Sequence, residues 1–175
     1  MKPISRLLPA FLAAAFLLGS CAAAPRRVAF QEADFAGAGR TGSGTVTGNA
    51  FIVTWDGRTL PGGFNEVVLY PVNAYTTEEM KRQYEHGENL ESRDARSAQY
   101  VRTGQTDGLG DFAFRHVPPG NYYVGSGGNW SNWYWNDDGT KATVDHLQRI
   151  YAQISVKDGQ TVNVTHWIQG KSKTL

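Results

Sequence analysis

The chain has 175 residues, of which 41% are hydrophobic and 19% charged, and a net charge of +1. With no Lys or Arg run to follow a phosphate backbone, that balance argues against a nucleic acid partner. Cys21 is the one cysteine, so no intrachain disulfide can form and stability has to come from packing.

The first twenty residues read as a leader. Lys2 and Arg6 make a basic start, Leu7 to Leu18 is an apolar run too short to span a bilayer as a mature helix, and Gly19 and Ser20 are small. Leu18-Gly19-Ser20-Cys21 looks like a bacterial lipobox, in which the cysteine is acylated and becomes the new N-terminus. The alternative is an ordinary secretory signal cut near Ser20 or Ala24. The resemblance implies a signal peptide over residues 1–20, lipidation at Cys21 and a membrane partner through the lipid. Ala22, where an Asp would favour inner-membrane retention, points to the outer membrane of the bacterial envelope. Loss of Lys2 and Arg6 leaves 15 basic against 16 acidic residues, a net charge of −1. Roughly 155 residues then remain, enough for one domain that buries roughly 70% of its unfolded-chain surface.

Residues 21–41, rich in Ala, Gly and Arg, read as a flexible tether, with Phe30 and Phe35 available to dock on the domain. From Gly42 the chain turns strand-like: Val46, Gly48, Ala50 and Ile52 alternate with Thr47, Asn49, Phe51 and Val53. Trp55 leads into the turn dipeptide Asp56-Gly57, Pro61-Gly62-Gly63 is a second break, and Glu66 to Val72 is the next strand. One helix is predicted, as an insertion on the surface. Thr76 to Glu79 has the form of a capping box, Tyr75 is placed to pack on Met80, Glu78 and Arg82 are an i,i+4 pair, and Gly87 is a stop. The charged run to Arg96 reads as its solvated continuation. Near the C-terminus Ile150, Ala152, Ile154 and Val156 form one apolar face and Val162, Val164, His166 and Ile168 another. A three-residue loop, Lys157 to a left-handed Gly159, would make these a hairpin with Ile154 facing Val162. The domain is expected over residues 42–168, followed by a tail, 169–175.

The stretch from Thr106 to Val124 is the most specific. Asp107-Gly-Leu-Gly110 is a tight reversal, and Phe112 and Phe114 alternate with Asp111, Ala113 and Arg115 as a half-buried strand. Val117 resumes the alternation one residue late. Pro118-Pro119-Gly120 is expected to make a type II turn into a returning strand at Tyr122, Tyr123 and Val124. This spacing, T-D-x-x-G-x-F-x-F-x-x-V-P-P-G-x-Y-x-V, resembles the carboxypeptidase regulatory-like domain. The resemblance implies an all-β, transthyretin-like (prealbumin-like) β-sandwich of about seven strands and no peptidase activity, because that domain lacks the zinc-binding residues of the enzymes it accompanies.

His86, His116, His146 and His166 share no metal-ligand spacing, and Leu109 stands where a calcium loop flanked by Asp107 and Asp111 would need an oxygen. No nucleophile elbow, Walker loop or dinucleotide fingerprint occurs. The C-terminus lacks the Tyr-Arg-Gly-Ser ending of the hydroxyisourate hydrolases, and the chain lacks the H-x-H of the intradiol dioxygenases, two enzyme groups with related sandwiches. Asp137 and Asp138 sit in Asn136-Asp-Asp-Gly139, a loop signature. No catalytic residue, metal or cofactor is expected. The candidate ligand-binding residues are Trp130, Trp133, Tyr134 and Trp135, in a Gly- and Asn-rich stretch taken as a loop; clustered flat rings can stack on a sugar or a protein partner, while at least one Trp is expected in the core. The leading expectation is a non-catalytic, lipid-anchored envelope protein acting as a structural or protein-interaction module. The alternative is a glycan- or peptidoglycan-binding module using the aromatic cluster, and a distant third is an uncharacterised hydrolase.

Overall fold

The alternation that begins at Gly44 becomes β1 (Gly44–Asn49), whose Val46 is fully buried while Thr45 and Thr47 face outward. The computed structural model describes residues 23–175 apart from Gly39 and Phe64; Cys21 and the leader lie outside the described residues. β1 ends at Asn49, and after Ala50 the chain leaves that sheet and forms a small hairpin of β2 (Phe51–Val53) and β3 (Thr59–Pro61). β4 (Glu66–Pro71) follows, then a helical insertion, β5 (Arg102–Gln105), β6 (Asp111–Val117), β7 (Gly120–Trp135) and β8 (Lys141–Val156). β9 (Thr161–Val164), β10 (Ile168–Gln169) and β11 (Lys173–Thr174) complete the chain.

The strands make an all-β sandwich. One layer is a three-stranded sheet in the order β6-β1-β9; the other runs β10-β8-β7-β4-β5, with β11 also on β8. The count exceeds the seven expected by the separate β2–β3 hairpin and by β10 and β11, two short strands that both pair with the long β8. Val46, Phe112, Phe114, Val117 and Val164 of the small sheet pack on Val67, Leu69, Tyr122, Val124, Ala152 and Val156 of the large one. Phe112 and Phe114 are thus in the core, as the alternation of β6 predicts.

Two turns differ from expectation. His116 is the one described non-glycine residue with positive φ, at 57°, and β1 skips it in pairing from Arg115 to Val117. This bulge is why Val117 comes one residue late. Gly120 has φ 159°, close to full extension, so the predicted type II turn is absent and the Tyr122 hydroxyl instead donates to the Pro118 carbonyl at 2.9 Å. At the C-terminal end Gly159 is left-handed, as predicted, but β9 does not pair with β8. It crosses to the other layer and runs parallel to β1, Val162 beside Val46. Ala152, Ile154 and Val156 therefore meet Val162 and Val164 across the core, whereas His166 and Ile168, expected on the second face, are exposed, the chain having turned back to pair Ile168 with Tyr151 of β8.

Buried residues run without a break from Val67 to Tyr70 because both faces of β4 are covered. The outer face of the large sheet, at Val68, Tyr70, Tyr123 and Tyr151, is roofed by Met80 and Tyr84 of the insertion. Gly125 permits this roof: a Cβ there would lie 2.8 Å from the Tyr84 ring. The helix α1 (Ala74–Glu79) starts earlier than predicted, capped by Asn73, whose side chain accepts from the Thr76 N–H while the Thr76 hydroxyl accepts from the Asn73 N–H. It continues through Met80–Glu85 as a wider π-helical turn and buries more than a surface helix would.

The stretch expected as a tether is packed from Ala23 onward. Ala24 bonds Asn89 and Glu91 through its backbone, and the Glu78 carboxylate accepts from the N–H groups of Arg27 and Val28 at 2.8 and 2.9 Å and from Arg82 at 2.6 Å. Phe30 and Phe35 join Tyr75 and Tyr100 in an aromatic cluster, with the Phe35 and Tyr100 centroids 4.9 Å apart. Burial alone would raise the Glu78 carboxyl, but the two N–H donors and Arg82 outweigh it and hold the group below the ordinary Glu range. The contact is therefore present at neutral pH and lost as pH falls through that depressed value.

Two outcomes follow. Phe114→Ala is expected to lower unfolding free energy by about 3–5 kcal/mol in urea denaturation. Glu78→Gln should speed hydrogen exchange at the Arg27 and Val28 amides and leave exchange in β7 unchanged; the same amides should deprotect in wild type only in acid, below the usual Glu titration.

Candidate functional site

β7 and β8 pair over all sixteen residues of each, from Gly120 with Val156 to Trp135 with Lys141. The neighbours of this ladder stop early: β4 reaches only Ser126, and β11 only His146. Leu175 still donates its N–H to the Asp145 carbonyl at 2.9 Å, so it is from Asn132 to Trp135 and from Lys141 to Val144 that the two strands run on as a free two-stranded arm, about 13 Å long at the usual rise. Asn136-Asp-Asp-Gly139 is its tip, with Gly139 left-handed at φ 78°. The aromatic cluster lies on a strand and not, as expected, on a loop.

Strand alternation then divides the cluster. Even-numbered residues of β7 continue the inner face, on which Tyr122 and Val124 are core; odd-numbered residues continue the outer face. Trp130 is 7% exposed and stacks on His146 with centroids 4.1 Å apart, so it belongs to the root of the arm. Tyr134, 49% exposed, is on the inner side, opposite Ala142 and next to the Asn132 and Val144 pair. Trp133 and Trp135, 59% and 64% exposed, share the outer side, edge to face at 6.2 Å, with the Lys141 ammonium 4.7 Å from the Trp133 ring centre.

The inner side of the arm has a partner that the sequence did not reveal. The hairpin of β2 and β3 is seated on the sandwich through Ile52, which reaches so close to β7 that a Cβ on Gly128 would lie 2.6 Å from it. Its turn presents Trp55, 75% exposed, and beside it Asp56 and Arg58. Between this turn and the arm is an open cleft of about 520 Å³, lined by Trp55, Asp56 and Arg58 on one side and by Ser131, Asn132, Trp133, Tyr134 and Val144 on the other. The only sequence signal for Trp55 was its position, a bulky apolar residue immediately before a turn dipeptide.

The turn is internally braced. Thr54 N–H donates to the Arg58 carbonyl at 2.8 Å, Gly57 N–H to the Thr54 carbonyl at 2.9 Å, and Gly57 is left-handed at φ 81°. The Thr54 hydroxyl donates to one oxygen of Asp56, and Arg58 Nε donates to the other at 2.8 Å. The Thr54 bond, opposed by some burial and aided by the bond and charge of Arg58, holds the Asp56 carboxyl below its ordinary range.

A second cleft, about 260 Å³, lies under the insertion among Tyr70, Glu79, Tyr84, Arg93 and Arg149. Glu79 is tied to Arg26 at 3.0 Å and Arg93 at 3.6 Å, and burial raises both phenols, Tyr84 to about 12. The Tyr70 hydroxyl donates to Glu79 at 3.3 Å and so joins an ion network that holds the insertion to the sheet. Of the histidines, His146 serves the Trp130 stack and His166 bonds the adjacent Thr165 hydroxyl; among the described residues no three His, Cys, Asp or Glu groups converge as a metal site.

Neither models of known protein families nor curated proteins match the chain. Among solved structures, the 2.61 Å crystal structure of a candidate carbohydrate binding protein from Pseudomonas aeruginosa is similar, with a TM-score of 0.65 and 26% identity over 79% of this chain and 99% of that one.

The division of the aromatic cluster can be measured. Trp133→Ala and Trp135→Ala are expected to change stability by no more than about 0.5 kcal/mol. Trp130→Ala should cost about 3–5 kcal/mol. Acrylamide should quench most of the wild-type tryptophan emission that Trp55→Phe, Trp133→Phe and Trp135→Phe remove.

Proposed function

We propose that this protein is a non-catalytic carbohydrate-binding module of the bacterial envelope, held there by a lipid on Cys21, and that the cleft between the Trp55 turn and the arm receives the glycan. The observation that carries this reading is the pairing of Trp55 with Tyr134 across an open cleft. A pyranose has one face of C–H groups and a rim of hydroxyls. An exposed ring stacks on the first while polar neighbours bond the second, and rigid aromatic side chains do this at low entropic cost. The structural likeness to a candidate carbohydrate binding protein supports the same reading. Asp56 is the one carboxylate lining the cleft and is already bonded to Thr54 and Arg58, whereas glycoside cleavage needs two carboxyl groups flanking the bond.

The resemblance to carboxypeptidase regulatory-like sandwiches belongs to this proposal and is supported by the two-layer fold and the buried Phe pair of β6. The anchoring is supported by the leader and by the lipobox-like residues before Ala22. Among the described residues no helix is long and apolar enough to cross a membrane. Ala24 is already bonded to the insertion, so a lipid on Cys21 would hold the sandwich within roughly 10 Å of the bilayer surface. A protein-interaction role has one observation in its favour, the exposed Trp133 and Trp135 on the outer side of the arm.

On a glycan array, Trp55→Ala and Tyr134→Ala should each weaken binding by about tenfold or more, equivalent to about 1.4 kcal/mol, with the melting temperature nearly unchanged. Full binding by both variants, with loss only in Trp135→Ala, would move the site to the outer side. Cys21→Ser is expected to shift the protein from the membrane to the soluble fraction.

A further inference from the structure

We infer that the Trp55–Arg58 turn determines specificity, selecting an uncharged pyranoside by bonding two neighbouring hydroxyls through Asp56 and Arg58. This rests on the glycan-binding reading of the cleft. Each sugar hydroxyl both donates and accepts one proton, so a pair of adjacent hydroxyls is best met by an acceptor and a donor side by side. The turn supplies that arrangement. Asp56 has both oxygens engaged once, by Thr54 and Arg58 Nε, and each keeps a free lone pair; Arg58 keeps its two terminal amino groups. Both groups line the cleft next to Trp55, so a ring stacked on the indole would place its rim against them.

The pair is also held before any ligand arrives. Thr54 is buried, its hydroxyl orients the carboxylate, and its backbone closes the turn. Little side-chain freedom remains to be lost on binding. The ion pair is neutral as a unit, and Asp56 and Arg58 are the only charged residues among those that line the cleft. An acidic glycan would meet no surplus positive charge to offset the loss of its hydration, which disfavours uronic or sulfated chains. The lowered Asp56 carboxyl keeps the acceptor ionised well into mild acid.

The experiment is calorimetric titration with cellotriose, chitotriose, mannotriose and the acidic trigalacturonate, followed by monodeoxy analogues of the best binder. At least one neutral trisaccharide should bind, with trigalacturonate at least tenfold weaker. Removing one hydroxyl should cost the wild type about tenfold and cost Asp56→Asn and Arg58→Gln almost nothing further, because those variants have already lost the bond. Asp56→Asn keeps the acceptor for Thr54, so its melting temperature reports whether the turn survives. Wild-type affinity should stay level from pH 7 to pH 5 and fall only below the ordinary Asp range. If Trp55→Ala abolishes binding while Asp56→Asn and Arg58→Gln bind every analogue as wild type does, the hydroxyl-reading role is wrong and glycan binding stands. If trigalacturonate alone binds, the selection for uncharged sugars is wrong and glycan binding stands; if none of the four binds, both fall.

Discussion

The ladder between β7 and β8 is the constraint on which the rest of the molecule depends. Its sixteen pairs place every side chain of two strands on a definite face, because a register slip of one residue would turn the core face to solvent. Within the sandwich the even face is sealed by the small sheet and the odd face by the helical insertion. Beyond Trp130 neither cover extends, yet the hydrogen bonds continue. The arm thus inherits its two faces from a core that it no longer touches, and this separates Tyr134 from Trp133 and Trp135 although the three are consecutive in sequence.

A free two-stranded ribbon is marginal by itself, and this one is continuous with a buried sheet at its root. The Trp130 and His146 stack closes the core where the arm leaves it, so the outer pairs need only extend an existing ladder. The hairpin that faces the arm solves the same problem differently. Its strands are three residues long, and it is held by Ile52 against Gly128, by the Val53 N–H donating to the Gln169 side chain at 3.1 Å, and by the bonds within its turn. A cleft between two such hairpins keeps its chemistry on rigid turns and ladder positions while both walls remain exposed.

Charge does its main structural work on the opposite face. Glu78 and Glu79 are adjacent, point into different contacts and are both buried: Glu78 holds the N-terminal segment, and Glu79 holds Arg26 and Arg93 above Tyr70. Buried carboxylates are tolerated only when paired and hydrogen-bonded, and each of these is. The N-terminal segment, the insertion and the large sheet are joined by this network and by the Phe30, Phe35, Tyr75 and Tyr100 cluster. The chain from Ala23 onward is therefore held to a fixed surface of the domain.

The sequence by itself determined what depends on neighbouring residues. The alternation of Phe112 and Phe114, the late return of Val117, the Asp107 to Gly110 reversal and the left-handed Gly159 were all legible, because side-chain period and backbone sterics act over a few positions. The helix was legible too, although its cap was placed three residues late: Thr76 reads as a first cap until Asn73 is seen accepting from it. Tertiary structure decided the rest. Whether β9 joins β8 or β1 is invisible to a two-residue period, since both partners bury the same face; the crossing to the parallel position is chosen by the core as a whole. The charged stretch before Gly42 looked like linker because its donors find their acceptors on Glu78, some fifty residues away. Trp55 looked like a turn residue for the same reason, since the strand that faces it is brought there only when Ile52 settles on Gly128. Local sterics choose the elements of this chain, and the burial of distant surfaces chooses which elements meet and so where an exposed aromatic ring becomes the wall of a site.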